Sequence, residues 1–373
     1  MLPNYPEAKR RALARNVLRN SLLLHRGESV LIETWSSTLE WAESFVLEAR
    51  VLGARPLLVL EDEATYWESV EDAPIANVGQ VGSHEWAALK ASDAHVYLWG
   101  PMDSARQDKL PPSLTNRLDA TDHEWFRLVE KSGVRSVRWD LGRTNEERAR
   151  RYGVDLAQWR NELIDAATVD PQPLQRDGRR VAEVLRRGRE VRISHPNGTD
   201  LVLHLAGRKP KVDDGIVDEA DVRAGEVVTV IPSGVTTVTV DEGYAEGTFV
   251  SNSTGVMFVR GEETPLARGT LTFRHGRLTA STFEGGGDVF RREYAKLGAG
   301  KDRPALLSVG LHPGISSIPL LFDQERGVIT VAIGRNSFMG GATHTPRFLA
   351  FQSLRGGTLE VDGRTVVDGG TLP

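Results

Sequence analysis

The sequence predicts an α+β protein of two domains. The N-terminal one, residues 1–180, is α/β with a mostly parallel sheet and ends in a helical connector. The C-terminal one, residues 181–373, is β-rich, an antiparallel sheet or barrel-like. Three observations predict this. A length of 373 residues suits two domains. All eight Trp precede position 160, whereas Gly numbers nine before position 180 and 28 after it. The apolar pattern also changes near residue 190, from alternating strand and helix segments to short strands divided by Gly turns.

Residues 5–24 carry apolar side chains at helical spacing, with Pro6 as a start signal. Ser29–Trp35 is a short apolar run of strand type. Residues 38–52 are amphipathic at the helical period, and Gly53 stops them. Residues 55–60 (RPLLVL) read as a buried strand, because apolar side chains fall on both faces. Residues 83–92 form a short helix, 94–99 a third strand and Arg135–Trp139 a fourth. This rhythm implies parallel pairing with right-handed crossovers. No phosphate-loop or dinucleotide glycine fingerprint follows any of these strands. Residues 142–188 are polar, Arg-rich and helical in pattern. Their basic run, Arg179–Arg189, is interrupted by apolar residues at helical spacing and reads as a solvated helix face. From Glu190 onward short strands dominate, with one helix over 288–296.

Composition narrows the function. The formal charge is −5 with no basic block, which argues against nucleic acid as a partner. No apolar run reaches the roughly eighteen residues of a membrane span, and the start of the chain has no apolar leader, so the cytoplasm is the expected location. Without Cys there are no disulfides, thiolate nucleophiles or Cys-based metal sites. No histidine pair stands at metal-ligand spacing and no nucleophile elbow is present. Asp241 and Glu242 end an alternating Thr/Val strand and lead to Tyr244 and Glu246; they either cap a turn or serve as acid–base groups. His312 and His344 sit in Gly/Pro-flanked loops, as surface residues or as groups titrating near neutrality. Arg335 follows an apolar strand and either clamps a carboxylate or caps a turn.

Several segments together resemble the aminopeptidase T family of two-metal exopeptidases. Residues 14–35 and 51–63 are similar to that family's opening strand–helix–strand unit, and 198–215 to the start of its metal domain. Residues 226–248 stand where the family has a Pro-x-Gly-Glu strand, 309–315 where it has Gly-x-Asn-Pro, and 325–341 and 359–370 match its closing elements. The resemblance spans nearly the whole chain, weakly over 62–180. It implies the family's two-domain fold and a homodimer enclosing a cavity. It also implies that the metal ligands are gone: their positions fall at Val235, Leu306, Thr330, Ser337, Phe348 and Ala350. Closely spaced divalent cations need anionic bridging carboxylates, which these residues do not supply. No metal or other cofactor is therefore expected. The related 2,5-dihydroxypyridine dioxygenases keep the terminal His-x-Asp, which this chain also lacks.

An apolar lining in place of charged ligands makes a water-poor pocket for a small-molecule or peptide substrate, with Val235, Leu306, Thr330, Arg335, Ser337, Phe348 and Ala350 around it. The first reading is a metal-independent enzyme acting on a peptide or an amino-acid-derived metabolite, with Asp241, Glu242, Tyr244, Glu246, His312 and His344 as candidate catalytic groups. The second is a non-catalytic peptide- or ligand-binding protein. The third is a metallo-aminopeptidase, which requires His312, His344, Asp323, Glu325 and Asp241 to converge.

Overall fold

The computed structural model describes residues 5–103, 106, 109–139, 141, 144–259, 262–316, 318–345 and 348–373. Among these, the chain begins α1 (Glu7–Asn16), β1 (Ser29–Trp35), α2 (Leu39–Val51), β2 (Arg55–Glu61), α3 (Glu63–Asp72), α4 (Ser83–Lys90) and β3 (Ala94–Leu98). It continues with α5 (Pro112–Ser132), β4 (Arg135–Trp139), α6 (Glu146–Tyr152), α7 (Leu156–Ala167) and α8 (Pro171–Arg187). Then come β5 (Glu190–His195), β6 (Thr199–Leu205), β7 (Lys211–Asp213), α9 (Glu219–Ala224), β8 (Val228–Ile231) and β9 (Val235–Val250). The rest is β10 (Gly255–Val259), β11 (Glu262–Leu266), β12 (Gly269–Arg274), β13 (Arg277–Phe283), α10 (Gly287–Ala295), β14 (Pro304–Gly310), β15 (Ile329–Gly334), β16 (Phe348–Leu354), β17 (Thr358–Val361) and β18 (Arg364–Val367).

The chain divides into two compact units: Met1–Gln172 with Gly215–Ser233, and Pro173–Asp214 with Gly234–Pro373. A single cut at 180/181 therefore does not describe it. The first unit holds a wholly parallel sheet in the order β2-β1-β3-β4-β8. Its last strand comes from the chain's second visit: Val228 pairs with Ser136, next to the fourth strand of the initial run. Leu31, Ile32, Val96 and Val137 are buried in this sheet. The strand over 55–61 is not buried as its sequence suggests. It lies at the sheet edge, with Leu57, Leu58, Val59 and Leu60 all exposed.

The second unit is an antiparallel sheet in the order β11-β10-β16-β15-β14-β9-β6-β5-β17-β18, with β7 and β12 branching from β9 and β13 pairing with β12. The long β9 makes this possible: its first half pairs with β14 and its second half with β6 and β12. Between the halves its register shifts against β6, from Val240 opposite Leu205 to Ala245 opposite Leu203. A bulge of this kind re-aims side chains, and it covers Asp241 to Tyr244. The core lies on one face of the sheet, where Val238, Leu307, Val309, Ile329, Val331 and Ile333 are closed off from water. Leu174, Val181 and Leu185 of α8 join it. Gly178 permits that close packing, since a Cβ there would lie 2.4 Å from Val212 Cγ1. On the other side of α8, Arg180 pairs with Asp177, and Arg186 and Arg187 pair with Glu183.

Candidate functional site

Directly opposed residues on neighbouring strands share a face, and alternate residues switch it. Pairing of Leu306 with Thr239 and Ala332, of Ser308 with Thr237 and Thr330, and of Thr330 with Ser353 therefore defines a second face, opposite the main core. It carries Val235, Thr237 and Thr239 from β9, Leu306 and Ser308 from β14, Thr330 and Ala332 from β15, and Leu349, Phe351 and Ser353 from β16. Lys211 and Asp213 of β7 extend it, opposite Thr237 and Val235. Three of the positions singled out in sequence, Val235, Leu306 and Thr330, thus come together on adjacent strands. Phe348 and Ala350 do not: they lie on the opposite face, inside the main core, with Phe348 against Phe290 and Tyr294. At this strand the side chains on the shared face are Leu349 and Phe351, one residue along.

The centre of this face is a row of buried hydroxyls across four strands. Thr237 Oγ1 lies 2.9 Å from Ser308 Oγ, and Thr330 Oγ1 lies 2.8 Å from Ser353 Oγ. Each pair uses one O–H internally and leaves the second for another acceptor. Thr239 Oγ1, on the same face, is buried without a hydrogen-bond partner. The segment between β14 and β15 covers the face, since Phe322 packs on Phe351 at 5.6 Å between ring centroids. Asp323 follows it. Loss of hydration raises its carboxyl to about 7, the charge of Asp213 adds to the rise, and a hydrogen bond from its own backbone opposes it. Val235 and Leu306 have no donor atoms and the Thr330 hydroxyl is engaged, so these residues do not fit a divalent-metal pair. Among the described residues, no group of three or more His, Asp or Glu side chains is placed to hold a metal ion.

The acid–base candidates do not converge. Glu242 closes a half-buried polar knot. Arg208 donates to both its oxygens at 2.7 Å, and Asn336 Nδ2 and the Ala342 N–H each donate to Oε1 at 2.7 Å. Burial works to raise its pKa, but these donors prevail and hold it down to about 2. Asp241 accepts the Gly243 N–H and so caps the bulge. Tyr244 stacks on His204, with ring centroids 3.5 Å apart. Glu246 accepts from the backbone N–H of His275 and stands 3.1 Å from its Nδ1. His312 is buried, not a surface residue. Its Nδ1 accepts the Gly314 N–H, and its backbone N–H donates to Gln324 O, tying down the covering segment. His344 is exposed in the loop after residue 340. Six residues along β9 separate Val235 from Asp241, about 20 Å at strand rise, so the His312 end and the Glu242 end cannot act on one bond. Among the described residues Arg335 clamps no carboxylate: its guanidinium lies over the Phe338 ring at 5.6 Å. The contacts expected of it are made by the next residue, Asn336. Ser337 begins the turn that follows, its N–H donating to Thr343 O.

The first unit holds a polar chain that sequence reading missed. Glu33 Oε2 lies 3.3 Å from His95 Nε2, and His95 Nδ1 lies 3.1 Å from Ser136 Oγ. A carboxylate–imidazole–hydroxyl order resembles a nucleophile relay. Here, however, Ser136 is buried near the start of its strand, beside Trp125, Phe126 and Val129 of α5. Its hydroxyl also reaches Val134 O. Strand alternation places these residues on one face only after the strand order is known, so no local spacing could reveal them.

No protein-family model matches the chain, and no curated protein does. Two solved structures share its fold along nearly the whole length. Wild-type AmpT from Thermus thermophilus, an aminopeptidase T, is 16% identical with a TM-score of 0.67, covering 98% of this chain and 99% of that one. A 2,5-dihydroxypyridine dioxygenase from Pseudomonas putida KT2440 is 15% identical with a TM-score of 0.59, covering 99% of this chain and 98% of that one. The fold is aminopeptidase-T-like.

Proposed function

We propose that the chain is an enzyme on an aminopeptidase-T-like fold that works without a resident metal, on a peptide or an amino-acid-derived small molecule. The site is the face formed by Val235, Thr237, Thr239, Leu306, Ser308 and Thr330, under the segment carrying Asp323. One observation carries this reading. Positions that the resemblance assigns to metal ligands share this face as Val235, Leu306 and Thr330, and Phe322 of the segment that follows β14 packs on it, next to Asp323, whose carboxyl burial raises to about 7. A carboxyl of that pKa can both give and take a proton at neutral pH. The spare donors of the hydroxyl row suit a carbonyl or carboxylate oxygen. Val235, Leu306 and Phe351 exclude water around it.

The test is metal content by plasma mass spectrometry on chelator-free protein, repeated after soaking in cobalt, zinc, manganese and iron(II) and desalting. The expected result is no stoichiometric metal. One or more equivalents retained per chain overturns the reading and returns the protein to metallo-exopeptidase chemistry. A second reading, a non-catalytic ligand-binding protein, draws on the mutual pairing of the hydroxyls, which makes them contact groups and not nucleophiles. It is supported if the Asp323→Asn variant keeps every function of the wild type.

A further inference from the structure

Strand β2 ends the parallel sheet with its outer edge open. Four successive apolar side chains stand out there: Leu57 and Leu60 are each 49% exposed, and Leu58 and Val59 are exposed between them. Folded proteins blunt such edges with charges or Pro inside the strand, because unpaired backbone beside apolar side chains takes up another strand. Here Pro56 and the charges of Arg55 and Glu61 stand at the ends, and the middle is bare.

The two faces of this edge differ. Leu57 pairs with Leu31, which packs with Leu89 of α4 and Val129 of α5, so residues 55, 57, 59 and 61 share the face those helices cover further in. That face is charged at both ends. Arg55 stands at one, with no acidic partner among the described residues. Glu61 stands at the other, where loss of hydration and the charges of Glu85 in α4 and of Asp62 raise its pKa. Leu58 and Leu60 lie on the opposite face, the one left to α2, which packs against β1 and β2. Exposed Leu47 and Val51 of α2 extend the apolar surface. The Arg55 N–H donates to Glu28 O, toward β1. By strand alternation residues 57, 59 and 61 also bond toward β1. Leu58 and Leu60 therefore aim both N–H and C=O outward, and Pro56 its C=O alone.

We propose that β2 is a docking edge for an extended segment of a partner protein, which adds a strand antiparallel to it. The segment alternates: apolar residues opposite Pro56, Leu58 and Leu60, a cation opposite Glu61 and an anion opposite Arg55. An added strand is the occupant because the edge offers main-chain donors and acceptors in ladder register, and because its two end charges have no complement among the described residues. In antiparallel pairing Leu58 and Leu60 each exchange two main-chain bonds with the residue opposite, while Pro56 serves as an acceptor only, which its missing N–H permits. A cation opposite Glu61 offsets the repulsion from Glu85 and Asp62.

The probe is the peptide Lys-Val-Thr-Val-Thr-Val-Glu, fluorescently labelled and titrated with the full wild-type chain by anisotropy. Saturable binding with a Kd below about 1 mM is expected. N-methylation of the central Val removes the N–H that meets the Leu58 carbonyl and is expected to abolish binding. N-methylation of the first Thr, whose N–H points away from β2, is expected to leave it. Glu61→Arg is expected to weaken binding about tenfold, and a peptide with Glu in place of its Lys to restore it. Absence of saturable binding overturns the proposal. So does binding that ignores the central N-methyl group or the charge exchange. Light scattering of the chain alone checks the other occupant: a mass of twice 41.0 kDa that Leu58→Lys halves gives the edge to a second copy and also overturns the proposal.

Discussion

Glu242 and Asp323 show how placement decides what a carboxylate does. The first is held at about 2 against an ordinary 4.5, so its stabilisation is complete above pH 4.5 and is lost as pH falls toward 2. The second is raised to about 7 from 3.8, so its contribution is complete below pH 3.8 and is lost as pH rises through 7. Glu242→Gln is expected to cost on the order of 3 kcal/mol at pH 7 and little at pH 2, where Glu242 is half protonated. Asp323→Asn is expected to gain on the order of 2 kcal/mol at pH 8 and nothing at pH 3.5, after solvent screening of a half-buried group. Denaturant unfolding at these pH values reads both signs. In sequence the same residues carry no such distinction. Glu242 stands out only beside Asp241, and its role depends on Arg208, Asn336 and Ala342, which reach it from separate parts of the chain.

Among the elements, β1 and β4 fall at the bounds their apolar runs mark, and α2 lies within its amphipathic stretch. Helices α3 and α5 had no comparable signal, being rich in acidic and polar residues, and their capping and tertiary packing secure them. The run over 55–60 is a strand, but apolar side chains on both faces do not tell a buried strand from an exposed edge. The hydroxyl row makes a further prediction at this scale. Removing one member leaves its buried partner unsatisfied, whereas removing both leaves an apolar pair. Thr330→Val is expected to cost about 1–3 kcal/mol, and Thr330→Val with Ser353→Ala less than the sum of the two single changes. A double-mutant cycle by urea unfolding measures it.

For the whole molecule, the chain leaves its first unit at residue 172, returns over 215–233 and leaves again. Cutting at 180/181 would divide α8 between buried Leu174 and buried Val181, and would take from β4 its partner β8. Fragments 1–180 and 181–373 are therefore expected to show no cooperative thermal transition when expressed separately, whereas the intact chain does; calorimetry of the three decides.

The sequence by itself determined the class of each half and the strand and helix rhythm, because periodicity and glycine placement are local and act residue by residue; the likeness in fold to aminopeptidase T came from the resemblance of its segments and not from their periodicity. It also marked Val235, Leu306 and Thr330, which adjacent strands then place on one face. Only the tertiary structure decided that Phe348 and Ala350 face the core, that Asn336 and not Arg335 holds the loop, and that Phe322, next to Asp323, packs on Phe351. A one-residue step in a strand reverses a side chain's face, and a carboxyl's charge follows from neighbours distant in sequence. Strand order and packing, not local spacing, set both.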